Sequence, residues 1–364
     1  MGEFMDKIKH FKIELDDKIR KCNSIFILGH NDPDFDSIAS CIGMSEYSNE
    51  FNKKNYIVVN DKDIDIDSGV KNIIDISRNK YNYIDKNKAI EFIDDNSILI
   101  ICDVNQQYRI SLGDCLDKFK NIFVIDHHID NDNIKSDGLV SKRKYVNDKA
   151  SSASEMVTDL LELSHVNYGE FVANVLFAGI RLDTKRFIKN TTTKTYDMIK
   201  RLLFHGANPD KINRLFLSEF EEESIICKLI YNNGNTLFSK YSENIFKEYN
   251  LSFTVNREMP DTNYKKVYIA KAADKMLKIK MIDASFVIGK TSNGTVVSAR
   301  SMGEFNVGNI LCKLEHGGGN STSAGAVSDL EPLELESKIK TIIENSLSCY
   351  YEKTDIYPSK VVKK

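Results

Sequence analysis

The sequence predicts an α/β fold: a first domain with a parallel-type sheet flanked by helices, followed by a smaller α/β domain. Short runs of Ile, Val, Leu and Phe recur at strand length, separated by segments long enough for helices. A length of 364 residues accommodates about two domains. Three of the apolar runs end on a histidine or an aspartate, which favours a ligand site at the strand ends.

Composition narrows the classes of protein. Hydrophobic residues make up 41% and charged residues 28%, which is typical of a soluble globular chain. No apolar run reaches the roughly 18 residues of a membrane span. The net charge of −3 does not favour an extended basic surface that binds long nucleic acid. Seven scattered cysteines without a CxxC pair indicate reduced thiols and a cytoplasmic location.

The elements are assigned from apolar runs and turn residues. Strands are predicted at Ser24–Gly29, Tyr56–Asn60, Ile98–Asp103, Ile122–Asp126, Ala284–Lys290 and Thr295–Ser301. Helices are predicted at Ser37–Phe51, Asn87–Ile93, Tyr168–Ile180, Thr195–Leu203, Asn208–Tyr231 and Ala270–Met276, with a glycine loop at Gly317–Gly319. The expected divisions are a cloning remnant at 1–4, a first domain at 5–205, a helical linker at 206–235, a second domain at 236–347 and a tail at 348–364.

The first chemical motif is the segment from His30 to Ser37, HNDPDFDS. It gathers one imidazole and three carboxylates directly after a predicted strand. Carboxylates this close repel each other, and a divalent cation removes the conflict. The alternative is a surface turn in which an aspartate caps the next helix.

Further candidate ligands follow later strands and a helix. Asp103 ends the third apolar run, Asp126-His127-His128 ends the fourth, and Asp183-Thr184 follows a predicted helix. Each alone has an ordinary structural alternative. Together the set matches a site for two metal ions with one bridging carboxylate, and oxygen ligands with some imidazole suit Mn²⁺ better than a thiolate-type zinc site. The set consists of His30, Asp34, Asp36, Asp103, His127 and Asp183.

The second domain carries a possible anion site. Arg300 lies in the stretch VSARS, and the stretch HGGGNSTSAG begins at His316. Glycines allow close approach of backbone N–H groups to an anion, and arginine can bind a phosphate with two hydrogen bonds. The alternatives are a solvated arginine and a flexible hairpin loop.

Four stretches, in order, carry a family resemblance: GHNDPDFDS, ICDVNQ, VIDHH and GIRLDT. They resemble the motifs of the DHH phosphoesterase superfamily, and SARS with GGGNSTSAG resembles its DHH-associated domain. The resemblance extends from about Ser24 to Leu347. Stretches within 145–157, 178–187 and 272–290 are most similar to the catalytic module of cyclic-di-AMP phosphodiesterases (GdpP type).

The resemblance implies roles for the candidate residues. One Mn²⁺ is expected on His30, Asp34 and Asp103, and a second on Asp36, Asp103, His127 and Asp183. Asp103 and His128 are the expected catalytic residues, with His128 contacting phosphate or handling a proton. The expected substrate contacts are Arg300, Ser301, Gly317, Gly318, Gly319 and Asn320. One departure stands out: Asn320 replaces the histidine of the family pattern GGGH, and an amide cannot be protonated.

The implied activity is hydrolysis of cyclic-di-AMP to linear 5′-pApA by a water molecule that two metal ions activate. The alternative is a nanoRNase that acts on short oligoribonucleotides and removes phosphate from phosphoadenosine phosphate. A catalytically silent nucleotide-binding regulator and an inorganic pyrophosphatase are disfavoured by the complete ligand set and by the second-domain motifs. The implied partner is a cyclic dinucleotide or short oligoribonucleotide. A homodimer and an N-terminal membrane or sensory region outside this chain are compatible with the resemblance.

Overall fold

The chain folds into two compact units, which divide between Ser218 and Glu219. The computed structural model describes residues 2–59, 66–128, 143–231, 236–242, 247–255 and 264–348. Among the described helices, none combines the length and the apolar character needed to cross a bilayer.

The described part of the first unit contains six strands, eight α-helices and two short 3₁₀ helices. The strands are β1 (Ser24–Leu28), β2 (Lys54–Val58), β3 (Tyr83–Ile84), β4 (Ile98–Cys102), β5 (Asn121–Asp126) and β6 (Arg143–Val146). The helices are α1 (Gly2–Lys21), α2 (Phe35–Asn49), α3 (Ser68–Ser77), α4 (Lys86–Phe92), α5 (Ala153–Leu163), α6 (Glu170–Asp183), α7 (Thr193–Phe204) and α8 (Pro209–Leu215).

The first sheet has the order β3-β2-β1-β4-β5-β6, and every neighbouring pair is parallel. Strands β1 and β4 are buried along their whole length because helices cover both faces. Ile25 and Ile27 of β1 enter the core on one face, while Phe26 and Leu28 enter the core on the other. This two-sided burial explains the continuous apolar runs and confirms the predicted α/β class.

The described part of the second unit contains six strands and four helices. The strands are β7 (Thr236–Ser242), β8 (Lys247–Val255), β9 (Ala284–Thr291), β10 (Gly294–Ser301), β11 (His316–Gly319) and β12 (Ser323–Ser328). The helices are α9 (Phe220–Tyr231), α10 (Lys266–Met276), α11 (Val307–Leu311) and α12 (Pro332–Ser348). The sheet order is β11-β12-β10-β9-β8-β7, and only the pair β8–β9 is parallel among these strands.

The structure differs from the sequence predictions in two places. The predicted linker at 206–235 is divided: α8 belongs to the first unit, and α9 belongs to the second. The cloning origin of residues 1–4 stays a prediction, and helix α1 begins at Gly2. The glycines at 317–319 form an edge strand rather than a loop. Residues 232–235 of the predicted linker and the tail beyond Ser348 lie outside the described residues.

Two of the three glycines of β11 are required by close packing. A Cβ at Gly317 would overlap the carbonyl oxygen of Leu311, and a Cβ at Gly319 would overlap Ala324. Gly319 also has φ of +140°, which favours glycine. Gly318, between them, faces open space.

These adjacent glycines provide a matched test of the packing. Gly317→Ala should lower the free energy of unfolding of the second unit by about 1–3 kcal/mol, because the added methyl group meets backbone. Gly318→Ala should change it by less than about 0.5 kcal/mol. Urea denaturation of both variants measures the difference, and equal effects would contradict the close approach.

Candidate metal centre

The candidate ligands lie where the sheet order of the first unit reverses. The chain moves outward from β1 to β2 and β3, then returns to place β4 on the other side of β1. Ligand sites in open parallel sheets form at the carboxyl ends of strands at this switch point. His30 comes two residues after β1, and Asp103 directly follows β4. Sequence-distant residues therefore meet at one edge.

The first group of potential ligand atoms belongs to His30, Asp34 and Asp103. One atom from each lies within 4.8 Å of the others. The His30 Nε2 atom is 3.5 Å from Asp103 Oδ2 and 3.9 Å from Asp34 Oδ1. The His30 and Asp103 side chains are almost fully buried, whereas Asp34 is more open.

The second group consists of Asp36, Asp103, His127 and Asp183, again within 4.8 Å of one another. The His127 Nε2 atom lies 3.0 Å from Asp183 Oδ2, 3.3 Å from Asp103 Oδ1 and 3.9 Å from Asp36 Oδ2. The two groups share Asp103. Its Oδ2 atom faces the first group and its Oδ1 atom faces the second, which is the arrangement of a bridging carboxylate. All six candidate ligands are thus brought together.

The backbone fixes Asp36 and Asp103 in place. The two carboxylate oxygens of Asp36 accept hydrogen bonds of 2.8 Å from the backbone N–H groups of Ala153 and Ser154, in the first turn of α5. Asp103 has φ of +61°, an uncommon conformation for a residue other than glycine. Its N–H nevertheless donates to the carbonyl oxygen of Ile125, so the turn stays attached to β5.

Asp34 also caps helix α2. The sequence analysis gave such a cap as the alternative to a metal site for the segment from His30 to Ser37. Its Oδ1 atom accepts hydrogen bonds from the backbone N–H groups of Asp36 and Ser37, at 2.9 and 3.0 Å. Capping orients the carboxylate and occupies one oxygen atom with backbone donors. Asp34 can therefore cap helix α2 and still belong to the first group of potential metal ligands.

Electrostatic conflict is concentrated in this cluster. Burial and the Asp103 carboxylate raise the pKa of Asp34 to about 6. Burial, with Asp103 and Asp183, raises the pKa of Asp36 well above its usual value. Burial also opposes ionisation of Asp103, but the His127 and His30 rings outweigh it and lower the Asp103 pKa. The Asp103 carboxylate is thus stabilised in its charged form by two imidazoles, whereas ionisation of Asp34 and Asp36 is disfavoured.

Unsatisfied polar atoms at the centre of the cluster fit a cation. Among the described residues, Asp103 Oδ1 and His127 Nε2 are buried and have no hydrogen-bond partner, although they are 3.3 Å apart. Buried polar atoms without partners are costly. Carboxylate oxygens and imidazole nitrogens that converge without good hydrogen-bond geometry are the donor set that divalent ions use. The residues present therefore fit a metal site.

His128 lies beside the cluster and is held by Asp126. The His128 Nδ1 atom is 2.7 Å from Asp126 Oδ1, and its side chain is 48% exposed. The imidazole also forms a third potential ligand group with Asp103 and His127. Burial by itself would lower the pKa of His128. The carboxylates of Asp126 and Asp103 outweigh that effect, so the pKa is raised above its usual value. The role of Asp126 was missed by sequence reasoning, although the motif VIDHH contained the signal.

In the second unit, Arg300 is engaged within the chain. Its Nε atom lies 3.2 Å from Asp274, and its Nη1 atom donates to the Ser298 hydroxyl and the Ala299 carbonyl oxygen. The Ser301 hydroxyl donates to the carbonyl oxygen of Ser321. The structure therefore gives Arg300 and Ser301 intramolecular partners at the end of β10.

Asn320 closes the connection between β11 and β12. Its Oδ1 atom accepts hydrogen bonds of 2.9 Å from the backbone N–H groups of Thr322 and Ser323. Strand register places Gly319 opposite Ala324 and Arg300 opposite Ser323. The predicted contacts Arg300 and Gly319 therefore lie at the same end of this sheet, with Asn320 in the turn beside them.

Comparisons with known proteins agree with this organisation. The family model described as "DHH family, N-terminal domain" matches residues 24–180, and the "DHHA1 domain" model matches residues 250–347. An exopolyphosphatase-related protein from Bacteroides fragilis has the same fold, with a TM-score of 0.77 at 18% identity over 94% of this chain and 97% of that chain.

Two curated relatives differ in length. "Cyclic-di-AMP phosphodiesterase GdpP" of Bacillus subtilis (strain 168) is 30% identical over 90% of this chain and 48% of the relative. "Probable bifunctional oligoribonuclease and PAP phosphatase NrnA" of Streptococcus mutans is 26% identical over 85% of this chain and 91% of the relative. The chain spans about half the length of the cyclic-di-AMP phosphodiesterases that it matches.

Metal binding can be tested without any substrate. Mn²⁺ should raise the thermal unfolding temperature of the wild-type chain, because a ligand of the native state stabilises it by about 2.7 kcal/mol at 100 times its Kd. Asp103→Asn should abolish the increase, since both groups lose the shared carboxylate while asparagine tolerates the positive φ. Differential scanning calorimetry measures the shift. Asp75→Asn, which alters a surface ion pair with Arg78, is the control, and an undiminished increase in Asp103→Asn would contradict the shared-ligand arrangement.

Proposed function

The chain belongs to the DHH family, and we propose that it is a metal-dependent phosphodiesterase that hydrolyses cyclic-di-AMP to linear 5′-pApA. The observation that carries the proposal is the pair of ligand groups that share Asp103 at the switch point of the sheet. Two adjacent metal sites of this kind suit displacement at phosphorus.

The proposed cofactor is a pair of Mn²⁺ ions. His30, Asp34 and Asp103 are assigned to one ion, and Asp36, Asp103, His127 and Asp183 to the other, as in the groups described above. The mixture of carboxylate and imidazole donors suits Mn²⁺. Bound ions supply Lewis acidity that activates water and stabilises charge on the phosphate oxygens.

His128 is assigned to proton transfer. Hydrolysis forms a bond from the water oxygen to phosphorus and breaks the bond from phosphorus to the ribose 3′-oxygen. The water loses a proton, and the departing oxygen gains one. Because the Nδ1 atom of His128 is engaged by Asp126 on its buried side, the Nε2 atom is available for the transfer.

The choice of cyclic-di-AMP is supported by the relatives. Bacillus subtilis GdpP and Listeria monocytogenes PdeA carry that activity in their names and match along 90% and 91% of this chain. The chain corresponds to about half of each, so activity of this chain alone is part of the proposal. A homodimer and a cytoplasmic location stay predictions of the sequence.

Oligoribonuclease activity is the second candidate. The Streptococcus mutans relative named for that activity is matched over 91% of its own length, whereas GdpP is matched over 48%. Both candidates use the same metal centre. They differ in the substrate that reaches the metal centre, which is a cyclic dinucleotide for the first candidate and the end of a short oligoribonucleotide for the second.

Product analysis separates the two candidates. With Mn²⁺, the chain should consume cyclic-di-AMP faster than an equal concentration of linear pApA, and pApA should accumulate before AMP. Chromatography of timed samples measures both reactions. Rapid release of AMP from pApA with the ring nearly untouched would replace the first candidate by the second.

Arg300 is proposed to bind a substrate phosphate or nucleotide. Arg300→Ala should raise KM for cyclic-di-AMP about tenfold with little change in kcat, since a hydrogen bond to a charged group contributes about 1.5–3 kcal/mol. Steady-state kinetics measures the split. The matched control is Lys290→Ala, which removes another basic residue of this sheet paired with Glu331. An unchanged KM would remove Arg300 from the substrate site.

A further inference from the structure

A cavity of about 960 Å³ adjoins the candidate metal centre within the first unit. His30 belongs both to the first ligand group and to the cavity wall. The cavity lies along the carboxyl ends of β1 and β2, where Gly29 and Val59 are part of its lining. Its volume is in the range of small-molecule sites, and the roles assigned above do not use it.

The lining combines apolar surface with amide groups. Ile38, Ile57 and Val58 supply apolar side chains. The amides come from three residues, Asn31, Asn87 and Gln107. Gln107 Nε2 donates one hydrogen to the Gly113 carbonyl oxygen at 2.7 Å, and Asn31 Nδ2 lies 3.5 Å from the Tyr108 carbonyl oxygen. Each amide NH₂ has a second hydrogen to donate, and each amide oxygen can accept. Such a lining suits a flat, partly polar ring better than a phosphate.

The charged groups of the lining have internal partners. The Lys86 ammonium lies 2.8 Å from both oxygens of Asp114, and Asp85 accepts a hydrogen bond from the backbone N–H of Lys88. The cavity therefore offers little free charge to an anion. A neutral ligand portion is favoured.

Two buried atoms of the lining residues are unsatisfied. Within the described part of the chain, Ser37 Oγ and His30 Nδ1 have no hydrogen-bond partner. Ser37 is 1% exposed, and the His30 side chain is 9% exposed. Unpaired buried polar atoms are costly, and a bound molecule with its own donors and acceptors would satisfy them.

An aromatic ring stands at the same cavity. Tyr108 is 66% exposed although it lines the wall, and its hydroxyl donates to Gln106 Oε1. Exposed aromatic rings beside a cavity provide a stacking surface for nucleobases, and one stack contributes about 1–3 kcal/mol.

We infer that this cavity is the subsite for one adenine base of the substrate. The inference rests on the proposed function for the identity of the substrate. The amides of Asn and Gln pair with the N6 donor and N7 acceptor of adenine, whereas guanine prefers Arg or Lys at O6 and N7. Among the described residues that line the cavity, the one lysine is Lys86, which is already paired with Asp114. The cavity thereby favours cyclic-di-AMP over cyclic-di-GMP.

The test measures binding of adenosine and guanosine to the whole chain by calorimetry. Adenosine should bind more tightly than guanosine. Tyr108→Ala should weaken adenosine binding about tenfold through loss of stacking, and Ser111→Trp should weaken it similarly by filling the cavity. Tyr196→Ala, which removes a tyrosine of α7 that is 56% exposed, is the matched control and should change the Kd less than twofold. KM for cyclic-di-AMP should rise about tenfold in the first two variants only.

The outcomes distinguish this inference from the proposed function. Undetectable binding of adenosine to the wild type, or equal binding in Tyr108→Ala, overturns the base subsite. Equal affinity for guanosine overturns the selectivity. If adenosine binding follows the expected pattern but cyclic-di-AMP is not hydrolysed, the base subsite stands and the proposed function fails. Should Ser111→Trp not fold, Tyr108→Ala decides alone.

Discussion

The mutual repulsion among four carboxylates, Asp103 and the three around it, is the constraint on which the rest of the first unit depends. Asp34, Asp36 and Asp183 all provide oxygen atoms to groups that include Asp103, and two of these carboxyls have raised pKa values. Such a cluster destabilises a fold unless cations or protons compensate the charge. A structure that gathers these groups from three separate segments is organised for cation binding rather than for stability.

The scaffold resists this repulsion with fixed dipoles and close packing. Asp36 is held by two N–H groups at the start of α5, where the helix dipole also favours negative charge. That contact requires α2, α5 and α6 to approach closely. Gly179 of α6 permits it, because a Cβ there would overlap the Ser154 hydroxyl and press on Asp36. Stability of the helical layer and geometry of the cluster are therefore coupled.

Sequence reasoning succeeded where one physical signal decides the structure. Strands β1 and β4 are buried along their whole length, and so are the last four residues of β5, which made their apolar runs unambiguous. The candidate ligands were marked by their position after those runs. It was wrong for Gly317–Gly319, because three glycines give no apolar alternation. Only packing against Leu311 and Ala324 requires glycine at the first and third of these positions. The conformation of Asp103 was also beyond the sequence, since its positive φ occurs together with a hydrogen bond to β5, a strand distant in the chain.

Asn320 shows how a departure from a family pattern can be absorbed by the fold. Its side-chain oxygen accepts two backbone N–H groups and closes the turn that joins β11 to β12. The residue at this position therefore has a structural role that needs an acceptor and no proton. Because an amide supplies no positive charge, the cation available to an anion at this end of the sheet among these residues is Arg300. The Arg300 guanidinium forms an ion pair with the exposed carboxylate of Asp274. An anion that binds Arg300 would therefore compete with this carboxylate instead of entering a preformed cationic site.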